Sequence, residues 1–215
     1  MIITYQGVQS FKVQFGETTL SFDPVSKESK HKAGSFGADI ALVSVNHEDM
    51  NGAGQASRGD KEAFVINGPG EYEVKGVFIK GVASVSSYPS INSGSSAEQK
   101  KINTIYTVNL EGMNLCFLGA LGSTEMSAEA KESFDGIDVL FAPIGGEGVL
   151  SPAEAYKFAV SLEPSIIIPM NYSEATLKAF LKEGGDEKVE ALEKLTIKKK
   201  DLDGKEAEII VLREQ

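Results

Sequence analysis

One histidine and one aspartate stand two positions apart, directly after a buried strand pattern. Residues 39–45 are mostly apolar, and His47 and Asp49 follow in the loop beyond them. Loops at strand ends are common places for binding and catalytic side chains. A histidine beside a carboxylate can work as a general base with its orienting partner, and both can ligate a metal ion. The pair can also simply brace its own loop by hydrogen bonds, so all three interpretations stay open.

Other reactive groups give weaker signals. A serine could join His47 and Asp49 in a nucleophilic set, but the sequence has no Gly-x-Ser-x-Gly elbow. The glycine-rich run at 145–148 lacks the GxxxxGK[ST] pattern, so it predicts a connecting loop rather than a phosphate site. Cys116 lies inside a strand pattern, which favours an inert core thiol over a nucleophile. The chemistry therefore depends on the loop that carries His47.

Charge and composition exclude several classes of partner. The 215 residues include 21 Lys+Arg and 31 Asp+Glu, for a formal net charge of −10. Nucleic acids and anionic membranes bind basic surfaces, so we expect neither as a partner. The single cysteine cannot form an internal disulfide, which indicates a reducing, cytoplasmic location. The only two histidines, His31 and His47, severely limit metal chemistry based on imidazole.

The order of elements predicts an α/β fold, because strands fill the first half and helices alternate with strands in the second. Strand patterns cover 11–15, 18–22, 39–45, 64–66, 71–74, 77–82, 104–110, 113–118, 139–142 and 166–168, and helix patterns begin at Ser127, Ser151, Ser173 and Asp186. We expect the strand at 166–168 to stop at Pro169. The helix that begins at Asp186 is expected to reach about Leu195. Residues 195–197 and 209–212 predict a closing strand pair. Two sheets with helices on their outer faces satisfy this pattern.

Residues 86–101 form a low-complexity stretch that is rich in serine and too polar to pack. The stretch predicts a mobile loop. A linker between two domains is one interpretation, and a connection between neighbouring strands along one sheet edge is the other. We favour the second, which leaves residues 1–215 as a single domain.

Several segments, in order along nearly the whole chain, resemble landmarks of the metallo-β-lactamase fold superfamily, in particular its branch of small Zn-dependent hydrolases. These segments are Ile3 to Gly7, Leu20 to Pro24, Asp39 to Asn51, Asn67 to Val74, Leu118-Gly119, Ile137 to Leu140 and Pro164 to Tyr172. The resemblance implies a four-layer αββα sandwich with its site along one edge of the two sheets.

The resemblance also shows which metal ligands are missing. The family's loop reads His-x-His-x-Asp-His, and its other ligands are a strand histidine, a bridging aspartate and a last histidine. The matching positions are Val45, Asn46, His47, Glu48, Asp49 and Met50 in the loop, then Phe117, Ala120 and Asn171. Only His47 and Asp49 keep a ligand, and they would belong to different metals of the pair. Since zinc takes about three or four protein ligands, we expect a degenerate site with no metal cofactor.

The first functional hypothesis is therefore a non-catalytic binding or assembly module with no catalytic residues. Its cleft would be lined by Asp23, Asn46, His47, Asp49 and Asn171, and its partner would be a small molecule or a protein. We expect Val45, Met50 and Phe117 to fill the former site with apolar volume. Self-association into a homo-oligomer is a further expectation.

The alternative hypothesis is a hydrolase with an altered site. In that case His47 is the base, Asp49 orients it, and a single weakly bound zinc ion is completed by Asp23 or Asn171. The site residues of this alternative are the same loop pair, so only the geometry around them can separate the two hypotheses.

Overall fold

Two mixed β-sheets face each other across a shared apolar core. The structure is a computed structural model that describes residues 1–89 and 100–215. The strands of the first sheet are β1 (Ile2–Tyr5), β2 (Phe11–Phe15), β3 (Thr18–Phe22), β4 (Ile40–Leu42), β5 (Phe64–Ile66) and β12 (Leu195–Thr196). Those of the second are β6 (Gly70–Val74), β7 (Val77–Ser86), β8 (Lys101–Leu110), β9 (Met113–Phe117), β10 (Val139–Pro143), β11 (Ile166–Met170) and β13 (Glu208–Ile209).

Each sheet changes from antiparallel to parallel pairing part-way across. The first has the strand order β12-β1-β2-β3-β4-β5, and the pairs β3–β4 and β4–β5 are parallel. The second has the order β13-β11-β10-β9-β8-β7-β6, and its pairs from β9 to β13 are parallel. Parallel strands bring their carboxyl ends to one edge of a sheet, where ligand sites are usually built.

Three α-helices pack on the outer face of the second sheet. They are α1 (Ala128–Glu132), α2 (Pro152–Ser161) and α3 (Glu174–Glu183). Each begins at the predicted serine, whose side chain accepts a hydrogen bond from a backbone N–H of the first turn. On the outer face of the first sheet, a short 3₁₀ turn at Ala53–Ala56 packs through Ala56 against Ala38 and Ala41. The predicted α/β sandwich is confirmed, with unequal outer layers.

Pro169 does not end its strand as predicted. Strand β11 continues through it to Met170 and pairs with β10 along its whole length. Consecutive residues of a parallel strand bond to opposite neighbours, and the Ile167 carbonyl bonds toward the β13 side, to the Ile210 N–H. Pro169 therefore faces the β13 side beyond the last paired residue of that edge, so its missing N–H removes no ladder bond.

The predicted helix from Asp186 to Leu195 is wrong. This segment is extended at Leu192, whose N–H donates to the Val211 carbonyl and whose own carbonyl accepts from Arg213. The segment from 186 to 194 is largely exposed, so a helix there would bury no apolar face. The predicted closing strand pair is also wrong, because β12 extends the first sheet and β13 extends the second.

The low-complexity stretch joins neighbouring strands. Strands β7 and β8 pair antiparallel with Ser86 opposite Lys101, so the stretch connects two neighbouring strands of one sheet. Most of the predicted mobile loop, residues 90–99, lies outside the described residues. Within the described ranges, no helix is long and apolar enough to cross a membrane.

Candidate functional site

The loop that carries His47 and Asp49 leaves the carboxyl end of β4. The strand is buried on both sides, and its parallel neighbours β3 and β5 end at the same edge. The Asn51 N–H and the Met50 N–H both donate to the His47 carbonyl, which turns the chain back at once. The tight turn presents His47 and Asp49 at the sheet edge, where the sequence places them.

A cleft of about 490 Å³ opens at this edge. That volume lies within the range of small-molecule sites. Its walls come from five loops and the first turn of α3. The lining residues are Lys30, His31, His47, Glu48, Asp49, Tyr88, Pro89, Gly145, Glu147, Asn171, Tyr172, Ser173 and Thr176. Three of the five predicted cleft residues therefore share one cavity: His47, Asp49 and Asn171.

The loop of His47 holds its imidazole ring in one neutral tautomer. The Asp49 backbone N–H donates to Nδ1 of His47 at 3.1 Å, so Nδ1 presents a lone pair and the ring proton sits on Nε2. Nε2 is buried and makes no well-formed hydrogen bond to any residue of 1–89 or 100–215. The Pro89 carbonyl faces the ring closely enough to favour its protonated form slightly, but it accepts its hydrogen bond from Lys101 Nζ.

Asp49 is engaged by two other loops rather than by His47. The Ser29 hydroxyl donates to one carboxylate oxygen at 2.5 Å, and the Tyr88 hydroxyl donates to the other at 3.0 Å. The nearest carboxylate oxygen lies 3.6 Å from His47 Nδ1, which is beyond a hydrogen bond. Tyr88 also stands edge-on to the His47 ring, with ring centroids 5.0 Å apart. Asp49 thus ties three loops together.

The pKa of His47 is lowered from its ordinary value of 6.5, mainly because burial disfavours the charged ring. The Asp49 carboxylate opposes this effect and raises the pKa. We therefore expect the Asp49→Asn variant to titrate His47 at a still lower pH than the wild type, measured from the imidazole proton shifts by NMR. The surface variant Glu193→Gln is the control and should leave that pKa in place. An unchanged or higher His47 pKa in Asp49→Asn would contradict the contribution of the Asp49 carboxylate.

Asp23 lies beneath the cleft rather than in its wall. Its side chain has no exposed surface, and its two oxygens accept from the Ser44 N–H at 2.6 Å and the Ser44 hydroxyl at 2.5 Å. Burial raises the pKa of Asp23 to about 8, although both Ser44 bonds pull it down. Asp23 therefore does not line the cleft as predicted, because it anchors the start of the His47 loop from below.

The two predicted asparagines, Asn171 and Asn46, differ in whether they line the cleft. Asn171 has a left-handed backbone (φ 53°), its N–H donates to the Val8 carbonyl, and its Nδ2 is buried without a hydrogen-bond partner among the described residues. Asn46 is exposed, bonds only to Asn51 Nδ2 among the bonds described, and does not line the cleft. Asn171 thus stays a cleft residue, whereas the prediction for Asn46 is not supported by its position.

Sequence reasoning missed several wall residues. Lys30 and His31 lie in a charged segment that predicts only solvated surface, and Tyr88 lies at the start of the low-complexity stretch. Ser29, which does not line the cleft but bonds to Asp49, lies in the same charged segment. No local pattern marks them, because their contacts join residues 20 and 39 positions apart in the chain. A polar residue near a predicted loop end is the only signal available, and many residues share it.

The former ligand positions of the resemblance have come together as a small apolar cluster. Val45, Met50 and Ala120 are buried in mutual contact with Val149, and Val8 and Tyr88 pack against them. Met50 and Ala120 have no exposed surface. Phe117 does not join this cluster; it packs in the core between the sheets, 4.9 Å from the Phe22 ring centre. Apolar side chains therefore occupy three of the former ligand positions, those of Val45, Met50 and Ala120. This result agrees with the expectation for Val45 and Met50 but not with that for Phe117.

The chain matches a family model described as a beta-lactamase superfamily domain over residues 2–171. The chain belongs to the metallo-β-lactamase superfamily. A candidate Zn-dependent hydrolase of this superfamily from Thermotoga maritima is 27% identical, with a TM-score of 0.73 over 98% of this chain and 97% of that one.

Structures of lower sequence identity share the fold. A candidate metal-dependent hydrolase from Parabacteroides distasonis is 18% identical, with a TM-score of 0.63 over 99% of this chain and 92% of that one. Igni18, a metallo hydrolase from the archaeon Ignicoccus hospitalis, is 17% identical, with a TM-score of 0.61 over 99% and 94%. At these identities the likeness concerns the fold alone.

The residues present do not fit the metal pair that this superfamily usually binds. In the parts of the chain that the structure describes, no three His, Cys, Asp or Glu side chains are grouped to hold an ion. His47 Nδ1 is already bonded to a backbone N–H, and both Asp49 oxygens accept from hydroxyl groups. Valine and alanine offer no ligand atom, and the Met50 thioether is too soft for a zinc site of this kind.

Proposed function

We propose that this chain is a metal-independent member of the metallo-β-lactamase superfamily, which binds a small molecule in the His47 cleft without hydrolysing it. The observation that carries the proposal is the contact of Val45, Met50 and Ala120 in one buried apolar cluster. An ion placed there would meet hydrocarbon rather than imidazole or carboxylate, and burying an ion without ligands is strongly unfavourable. The neighbouring cleft keeps its volume and its polar walls.

The hydrolase alternative is favoured by the names of the similar structures, several of which are called hydrolases. The neutral tautomer of His47 argues against this alternative. A general base that is oriented by a carboxylate donates from Nδ1 and accepts at Nε2. Here Nδ1 accepts the Asp49 backbone N–H, which leaves Nε2 as a donor. The ring is therefore arranged to donate a hydrogen bond to a bound molecule, not to remove a proton from one.

Metal analysis tests this proposal directly. Full-length protein purified without chelator is expected to contain far less than one zinc, manganese or iron ion per chain, because too few ligands face any one point. Its melting temperature should be the same with EDTA and with added zinc, since only an ion that binds the folded state raises it. Protein incubated with excess zinc and then desalted serves as the control for weak binding. One or two tightly bound ions per chain would overturn the proposal.

An activity assay separates the two candidates by a second route. The proposal expects no turnover of simple ester, lactone or phosphodiester substrates above buffer. If turnover is found, and if His47→Ala removes it while the circular dichroism spectrum and melting temperature are kept, the hydrolase alternative is correct.

A further inference from the structure

Two buried hydrogen-bond donors lie in the walls of the same cleft without a partner among the described residues. One is His47 Nε2 and the other is Asn171 Nδ2. A buried donor without an acceptor destabilises a protein because it loses its hydrogen bonds to water, so native folds rarely keep one for no reason. The backbone at Asn171 favours asparagine because its φ is positive, but this preference does not explain why its amide nitrogen is left unpaired.

Both donors are uncharged. The Asp49 N–H occupies the Nδ1 lone pair of His47, so the ring is neutral, and the Asn171 amide carries no charge. The charges that line the cleft are mainly negative: Glu48, Asp49 and Glu147 against Lys30. The Asp49 carboxylate lies 3.6 Å from Nδ1 of the same ring and repels an anion held at Nε2. The nearby Lys101 ammonium is engaged by the Tyr88 and Pro89 carbonyls. A neutral acceptor meets no such repulsion.

The chain itself places a neutral carbonyl against the ring. Pro89 has no N–H, so the group that favours the protonated form of His47 is its carbonyl. Lys101 Nζ donates to this carbonyl at 3.2 Å and to the Tyr88 carbonyl at 2.8 Å. The Pro89 carbonyl can therefore move away from His47 and still keep a hydrogen-bond donor. An amide carbonyl of a ligand can then take its place beside Nε2.

We infer that the cleft binds a small neutral molecule through an amide carbonyl, which accepts hydrogen bonds from His47 Nε2 and Asn171 Nδ2. The inference rests on the proposed function, because it requires a cleft without metal. The ligand displaces the Pro89 carbonyl from the ring and satisfies both buried donors. Glu48 and Glu147 on the wall select against carboxylates and phosphates.

The test is an NMR titration of the full-length, ¹⁵N-labelled chain. The probe is N-methylacetamide, and sodium acetate at matched ionic strength is the anionic counterpart. The chain has only two histidines, so the imidazole signals of His47 and His31 are easily separated. We expect N-methylacetamide to give saturable shifts of His47 Nε2–H and of the Asn171 side-chain amide, and acetate to give much smaller ones.

Matched variants show which amide matters. Asn171→Gly keeps the positive φ and removes the side-chain donor, so it should weaken the binding of the probe about fivefold or more, which corresponds to about 1 kcal/mol. Asn46→Ala removes an exposed amide from the His47 loop and should bind the probe like the wild type. Equal affinity of Asn171→Gly and wild type would overturn the inference.

Two further outcomes also overturn it. One is the absence of any saturable shift with N-methylacetamide. The other is stronger binding of acetate that is lost in Lys30→Met, which would identify an anion site. Metal analysis of the same sample separates this failure from a failure of the proposed function. If the protein is free of metal and does not bind N-methylacetamide, the inference alone is contradicted. If the protein contains a bound ion, the proposed function is contradicted as well.

Discussion

Replacing Asn103 by alanine is expected to lower the free energy of unfolding by about 3 kcal/mol, because it leaves buried polar groups unpaired. Asn103 has no exposed surface. Its Nδ2 donates to the Leu118 carbonyl at 2.9 Å and to the Ser84 hydroxyl at 2.7 Å, and its Oδ1 accepts from the Ala120 N–H at 2.8 Å. The side chain thus ties strand β8 to the turn that carries Ala120 into the apolar cluster.

The turn at Gly119 shows how closely Asn103 is fitted. Gly119 has a positive φ of 60°, and a Cβ at that position would lie 2.4 Å from Asn103 Oδ1. The amide therefore lies directly against the backbone of the turn, and alanine at 103 would leave a gap there as well as unpaired groups. The gap and the unpaired polar groups both lower the free energy of unfolding.

Urea denaturation followed by circular dichroism measures this effect, and the melting temperature should fall by roughly 6–12 °C for a chain of this length. Asn109→Ala is the matched control, since Asn109 is exposed on the same strand and its side chain bonds only to Asn114 among the bonds described. That variant should lose less than about 0.5 kcal/mol. Similar losses in both variants would mean that the buried bonds of Asn103 add little to stability.

Much of the fold could be predicted because local patterns determine it. The alternation around Phe11 to Phe22, and the glycines that follow Lys75 and Glu111, mark hairpins that need φ > 0 at the turn. Ser151 and Ser173 mark helix starts, because a serine side chain satisfies an N–H that the first turn leaves unpaired. These signals act over only a few residues, so the sequence shows them directly.

The sequence-based predictions were wrong where pairing between distant segments of the chain decides the structure. Leu192 forms a bridge with Leu212 instead of a helical turn, and Pro169 stays in its strand because the neighbouring edge has already ended. The site shows the same limit. The loop of His47 and Asp49 could be found from its position after a buried strand, but Ser29 and Tyr88 contact Asp49 only through the tertiary fold. No spacing rule within the sequence indicates such contacts.

Apolar packing and polar binding are separated by the fold at this edge. On one side of the loop, Val45 and Met50 are buried with Ala120 and Val149. On the other side, His47 and Asp49 line the open cleft. The tight turn at His47 produces this division, because it places neighbouring side chains on opposite sides of the loop. Loss of ligands at the buried positions therefore leaves the wall of the cleft intact.

Replacing Asp23 by asparagine is expected to remove a large pH dependence of stability. The pKa of Asp23 is about 8 in the folded protein, because burial disfavours the carboxylate, against 3.8 as the ordinary value. Between these two pKa values the folded chain holds a proton that the unfolded chain has lost. The free energy of unfolding therefore falls by about 1.4 kcal/mol for each pH unit as the pH rises through this window.

The asparagine variant keeps the hydrogen bonds without the charge. Its Oδ1 can accept the Ser44 N–H, its Nδ2 can donate to the Ser44 hydroxyl, and asparagine tolerates the positive φ of 39° at this position. Below about pH 3.8, where the folded and the unfolded wild type both hold the proton, the neutral acid and the amide are equivalent and the two proteins should be about equally stable. The variant should be more stable than the wild type by about 1.6 kcal/mol near pH 5 and by about 4 kcal/mol near pH 7.

Urea denaturation at several pH values between about 5 and 8 measures the difference. Asp60→Asn, which changes an exposed carboxylate, should keep the pH slope of the wild type. Asp23→Ala should be less stable than Asp23→Asn at every pH, because it leaves the buried Ser44 N–H without an acceptor. If Asp23→Asn instead follows the wild type across the whole range, the carboxyl group is ionised in the folded protein. The hydrogen bonds from Ser44 would then outweigh its burial.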